Sequence, residues 1–249
     1  MLTWAGERLA RYLTEPVRTG GTGRPTPRER LVACLRPGDV LLVEGGTRIS
    51  VAIGYLTQST WSHAALFVGD HLATAGNDSD QVFVEADPRE GVRGVGIDPF
   101  VGLHTRICRP VGLSAEEIRQ VTGFAIARIG HHYDLRNVFD LARFLFPTPP
   151  VPARFRRRLL AFGSGDPTRA ICSTLVAQAF QSIRYPILPT VQLENADGVN
   201  HQKPMREVWL RRHHTLFTPR DFDVSPYFEV IKPSLVGGFD HHTINWAED

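Results

Sequence analysis

Lysine is nearly missing from this chain. Only Lys203 and Lys232 interrupt an otherwise all-arginine set of 28 basic residues, which faces 26 acidic ones for a formal net charge of +2. A dedicated nucleic-acid binder carries a broad basic face, and so small a balance argues against one. Arginine richness is read as genome composition, although Arg154, Arg156, Arg157 and Arg158 do cluster. Cysteine is scarce: Cys34, Cys108 and Cys172 are the only three among 249 residues. Three is too few, and odd, for a disulfide scaffold. A reducing compartment is expected, and any one of the three can be a working thiol. No apolar run approaches the roughly 18 residues of a membrane span, and no fixed period supports collagen, coiled coil or repeats. Leu2 to Leu13 contains Glu7, Arg8 and Arg11, so it lacks the apolar core of a secretory signal. A cytoplasmic location is therefore expected, with export by a route without a cleaved signal left open.

Several cofactor signatures are also missing. The glycine run at 20–23 lacks the Gly-Lys-Ser/Thr that completes a phosphate-binding loop. There is no Gly-x-Ser-x-Gly elbow. The histidine pairs 131–132, 213–214 and 241–242 are adjacent in sequence, so their side chains point apart, and no Cys-x-x-Cys supplements them. Neither a metal nor a cofactor is expected.

What remains is an ordinary globular composition, 42% hydrophobic and 22% charged. Residues 16–27, rich in Pro, Gly and Thr, read as a linker. Thr26, Pro27 and Glu29 predict a capped helix start, ending near Leu35. Val40–Val43 predicts a buried strand, and Ile49, Ala52, Ile53 and Leu56 a helix to about Thr57. His63–Val68 and Gln81–Ala86 predict strands around a polar loop at 69–80, with further short strands at Val95–Ile97 and Thr105–Arg109. Ser114 and Glu117 form a capping box opening a helix that stops near Gly130. Helices are also predicted over 137–146 and from Cys172 to Ile183, the latter with Leu175, Val176, Ala179, Phe180 and Ile183 on one stripe. The chain after Pro186 reads as irregular until a last strand at Tyr227–Ile231. Strands and helices are segregated, so the expected class is α+β with an antiparallel sheet.

Three residues suggest chemistry. Cys172 opens an apolar-striped helix, where free N–H groups and the positive dipole end favour a thiolate and can hold an oxyanion. A small buried cysteine looks the same by position, and Cys34 and Cys108 fit that bland description better. His63 opens a strand, and Glu85 lies in the next. In a symmetric antiparallel register the two face each other directly and share a face, so Glu85 can orient the imidazole; the intervening loop also permits other registers. A cysteine nucleophile needs a base, and the base an orienting acceptor.

The motifs Arg36–Val40 (RPGDV), Ile49–Ile53 (ISVAI), Leu56–Ser59 (LTQS), Trp61–Ala64 (WSHA) and Leu66–Gly69 (LFVG) resemble the circularly permuted branch of the NlpC-type papain-fold peptidases, the YiiX-like group. So do Val82–Ala86 (VFVEA) with Gly91 and Val92, Gly130 with Tyr133 and Asp134, and Ile171–Leu175 (ICSTL), and, further on, Thr218–Phe222, Ser225–Pro226 and Phe228–Glu229. The likeness spans about residues 36–232. It implies a papain-like fold with a catalytic helix packed against the sheet, and histidine preceding cysteine in sequence. Carried over by motif, Cys172 is the nucleophile, His63 the base and acid, and Glu85 the orienting residue. Tyr133 falls in the family's Tyr-Asp motif, which implies a substrate- or oxyanion-side role; a packed aromatic is the alternative.

On this division residues 1–35 are an N-terminal extension and linker, 36–232 the catalytic domain and 233–249 a tail. Within the domain, 144–168 departs from a minimal family member as an aromatic-basic insert. It reads as a helical hairpin packed on the core, as a lid, or as a surface touching anionic lipid through 144–162. The leading expectation is a cysteine hydrolase cleaving a peptide or isopeptide amide, with cell-wall fragments as one source, through a thioester. Its alternatives are a lipid acyl hydrolase or acyltransferase of the lecithin:retinol acyltransferase-like type, and a non-catalytic binding module. The expected ligand is a small peptide or an acyl lipid.

Overall fold

In a computed structural model, the described residues are 15, 25–74, 82–87, 90–131, 171–195, 205–235, 238 and 242. Helix α1 (Arg28–Cys34) leads into strand β1 (Val40–Val43) and helix α2 (Arg48–Thr57). Strand β2 (His63–Phe67), a single turn α3 (His71–Thr74), and strands β3 (Phe83–Asp87), β4 (Gly91–Val95) and β5 (Thr105–Pro110) follow. Helices α4 (Ala115–Ile126) and α5 (Ile171–Ser182) precede a hairpin of β6 (Thr190–Asn195) and β7 (Met205–Leu210). A short helix α6 (Pro219–Asp223) and strand β8 (Phe228–Ile231) follow. Six strands form one antiparallel sheet in the order β4-β3-β2-β1-β5-β8, and β6 and β7 pair separately. This is the α+β class expected from the segregated pattern.

β1 explains the layering. All four of its residues are buried, so both faces of the sheet are covered, and an uninterrupted apolar run suits that position. On one face Val40, Leu42, Ala64, Leu66 and Val84 pack with Leu175, Val176, Ala179 and Phe180 of α5 and Val121 of α4. On the other, Leu41, Val43, Ala65 and Phe83 pack with Leu31 of α1 and with Phe100. The stripe on α5 thus faces the sheet, as its 3.6-residue spacing requires.

Several local expectations change. Thr26 does not cap α1: Pro27 holds the N-cap position without a side-chain cap bond. The buried Thr26 instead bonds the Leu103 carbonyl through its N–H (2.9 Å) and the Thr105 hydroxyl through its own (2.8 Å). A tertiary bond there outcompetes the local one. The strand expected at 95–97 lies earlier, at Gly91–Val95, and the polar loop holds the turn α3. The segment after Pro186 is not irregular, because it contains the β6–β7 hairpin. The helix expected over 137–146 lies outside the described residues, as does the 144–168 insert.

Tyr185 ties α5 to the last strand. Its hydroxyl accepts from the Val111 N–H (2.8 Å) and lies within donating distance of the Tyr227 carbonyl (2.6 Å). Its ring meets Phe180 and Phe228 at centroid distances of 5.5 and 5.6 Å. Tyr185→Phe keeps the ring contacts and removes only the hydroxyl, and the Val111 N–H retains the Tyr227 carbonyl at 3.0 Å. The expected loss in urea denaturation is therefore about 1 kcal/mol.

Candidate active site

The entrance to β2 is held from several sides. The Trp61 N–H donates to Ser59 Oγ (3.0 Å), and its indole N–H donates to Asp223 Oδ2 (3.0 Å). Asp223 also takes both of its oxygens to Arg106, whose guanidinium lies 4.9 Å above the Trp61 ring. Ser62 accepts from the Gly45 N–H (3.0 Å). A Cβ at Gly45 would fall 2.3 Å from Ser50 Oγ, so only glycine permits this approach. His63 follows at once, opposite Val43 of β1.

Its other neighbour is β3, in a register that pairs Leu66 with Val84 and Phe67 with Phe83. Continued along the strands, that register sets Glu85 opposite Ala65, two residues from His63. The direct opposition expected from a symmetric loop is therefore corrected to a diagonal one. Because side chains alternate with period two, the offset keeps both residues on one face, and a diagonal pair is within reach of a long side chain. Glu85 Oε2 lies 2.6 Å from His63 Nε2. With Nε2 so engaged, Nδ1 is the nitrogen left for Cys172, whose sulfur acts on the same imidazole. Cys172 is buried in the first turn of α5, a helix that packs on β2 and β3. The structure therefore brings Cys172, His63 and Glu85 together in one chain of contacts. Tyr133 lies outside the described residues.

Electrostatics polarises this chain. Burial disfavours a charged imidazole, yet the sulfur of Cys172 and the carboxylate of Glu85 outweigh it and lift the His63 pKa to about 10. Burial likewise pushes the Glu85 carboxyl up, but hydrogen bonding and charge from His63, then from Arg93, bring it down to about 2. Charged forms are favoured at both positions. Burial raises the thiols of Cys108, which is fully buried in the core, and of Cys34, which is part-buried. No group of three or more metal-ligating side chains occurs among the described residues.

One contact was not anticipated from the sequence. Arg93 of β4 sits directly across from Glu85 and donates to its Oε1 from Nε (3.0 Å) and Nη2 (2.8 Å). The signal is an opposite charge across a hairpin, hidden because the strand expected at 95–97 begins four residues earlier, at Gly91.

Residues 34–143 match the family model described as permuted papain-like amidase enzyme, YaeF/YiiX, C92 family. The resemblance seen in the motifs is thus to the permuted papain-like amidases, and the match covers His63 and Glu85 but stops short of Cys172. A solved structure of the metalloprotein yiiX from Escherichia coli O157:H7 is similar at 16% identity and a TM-score of 0.44, over 79% of this chain and 96% of that one. No curated protein matches the chain.

Proposed function

We propose that this chain is a cysteine-dependent amide hydrolase, with Cys172 as nucleophile, His63 as acid and base, and Glu85 as the group that orients the imidazole. The contact chain from the Cys172 thiol through His63 to Glu85, closed by a 2.6 Å hydrogen bond, carries this reading. A thiol is a good nucleophile only as thiolate, and the neighbouring imidazole of His63 is the base that can take its proton.

The sulfur attacks the amide carbonyl, and charge moves onto the carbonyl oxygen. The first N–H groups of α5 have no partners within the helix, so they are placed to stabilise that oxyanion. The C–N bond breaks as the imidazolium of His63 passes its proton to the leaving amine, which leaves a thioester on Cys172. Water then loses a proton to His63, attacks the thioester and releases the acid, restoring thiolate and imidazolium. Glu85 stabilises the imidazolium and fixes its ring throughout. No step calls for a cofactor.

The favoured substrate is a peptide or isopeptide amide, in keeping with the amidase description of the matched family. The 144–162 stretch on which an acyl-lipid substrate or a membrane-surface contact would draw lies outside the described residues. Trapping the acyl-enzyme from a mixed pool of peptides and phospholipids, followed by mass spectrometry of the Cys172 peptide, tests the assignment. A peptidyl adduct is the expected result. A fatty-acyl adduct would transfer the protein to acyl-lipid chemistry, and no adduct at all would leave a binding module.

A further inference from the structure

Glu85 has two oxygens, and each has its own partner: Oε2 faces His63, while Oε1 takes two N–H groups of Arg93. The arginine is itself held. It is fixed across from Glu85 by the β3–β4 ladder, its Nη1 reaches Glu90 at 2.8 Å, and its Nη2 lies 3.5 Å from Asp87. Gly130 and His131 add backbone bonds to its neighbour Val92 (2.8 and 2.9 Å), which stiffens β4 at that point. A carboxylate gripped on one oxygen by a planar fork cannot rotate about its terminal torsion. Unheld, that torsion is broad and roughly two-fold.

We propose that Arg93 is a positioning residue: its guanidinium clamps Glu85 Oε1 so that Oε2 stays aimed at His63 Nε2 and the imidazole keeps Nδ1 on the Cys172 thiol. The inference rests on the cysteine–histidine reading of the site. The arginine touches neither the thiol nor the imidazole and acts only through Glu85. The fork geometry matters as well as the charge, because a lysine in its place is a point charge with no two-point grip.

The test needs no substrate. In the full-length chain, iodoacetamide alkylation at pH 6 is followed by mass spectrometry of the Cys172 peptide, and the Glu85 carboxyl is titrated by carbon NMR. Arg93→Gln is expected to slow alkylation roughly tenfold and to move the Glu85 midpoint up towards the ordinary carboxylate range. Arg93→Lys is expected to keep the midpoint low and still slow alkylation. Glu90→Gln removes a different partner from the same guanidinium and is expected to change neither quantity. A folded Arg93→Gln with wild-type rate and midpoint would overturn the proposal. So would wild-type alkylation in Arg93→Lys, should the glutamine variant not fold, and so would a Glu90→Gln effect equal to that of Arg93→Gln, which would mark a general hairpin role. His63→Ala separates the two levels. If it leaves Cys172 alkylation at the wild-type rate, the cysteine–histidine reading fails; if it abolishes the enhancement while Arg93→Gln does not touch it, only the clamp fails.

Discussion

Cys172→Ala is expected to lower the turnover of a cleaved amide by roughly 10⁴-fold or more, the scale seen when a nucleophile is removed from a coupled catalytic unit. The loss is large because the bond-forming atom itself disappears and no other thiol can take its place. Cys108 lies in β5 opposite Val40, fully buried, and burial raises both its thiol and that of Cys34. The stability change should be small by comparison. Cys172 is 5% exposed at a helix end, so removing one sulfur opens a small gap, worth about 1 kcal/mol as for a typical substitution. Steady-state kinetics on the trapped substrate, paired with urea denaturation of the same preparation, check both halves. Near-wild-type turnover in a folded variant would remove Cys172 from the mechanism. The two other members should behave as one unit with it: His63→Ala in the Cys172→Ala background is expected to cost little more, since the residues act on a single chemical event.

Much of this site is legible in the sequence, for identifiable physical reasons. The start of α5 is legible because an apolar stripe needs a helix to bury it, and the stripe begins at Leu175, less than one turn after Cys172. The capping box at Ser114 and Glu117 also survives folding, with the Ser114 N–H on Glu117 Oε2 at 2.8 Å and the Glu117 N–H on Ser114 Oγ at 3.3 Å. Both signals are local, and nothing distant competes for the groups involved. Thr26 shows the opposite case. Its hydroxyl had a local use as a cap and a tertiary use against Thr105 of β5, and the tertiary bond won because the residue is buried. No local rule can weigh a partner 79 positions away.

The pairing of His63 with Glu85 was legible in kind and not in register. Alternation told which residues share a face, and a two-residue slip preserves that answer, so the contact held while its geometry became diagonal. The β6–β7 hairpin was missed for a related reason. Its two strands are separated by the nine residues 196–204, too many for a short hairpin signal. One of its cross-strand pairs, Val191 with Trp209, is exposed at 47% and 49%, so no buried stripe announces it. Arg93 falls outside the strand expected at 95–97, so its pairing is not legible: a cross-strand ion pair has meaning only once both strands are in register.

Glu85→Gln is expected to show the second large effect, in stability as well as chemistry. The carboxylate is buried between two cationic partners, with only 6% of its side chain exposed. Gln keeps the shape and loses the charge, which leaves His63 and Arg93 facing a neutral amide. Breaking a buried pair in this way costs about 3–5 kcal/mol. The pH dependence carries the signature. Folding lowers the Glu85 pKa from 4.5 to about 2, so its contribution is complete above the unfolded value and is lost as pH falls from 4.5 towards 2. Folding raises the His63 pKa from 6.5 to about 10, so that contribution is complete below 6.5 and is lost as pH rises towards 10. The stability gap between wild type and Glu85→Gln should therefore be widest between pH 4.5 and 6.5 and narrow on both sides. Other titrating groups are common to both chains and cancel in the difference. Urea denaturation of the two proteins from pH 3 to 9 measures the gap, and proton NMR of the His63 ring should show its midpoint falling in the variant. A gap independent of pH would mean that Glu85 contributes packing alone, and that the imidazole takes its charge from Cys172 without the carboxylate.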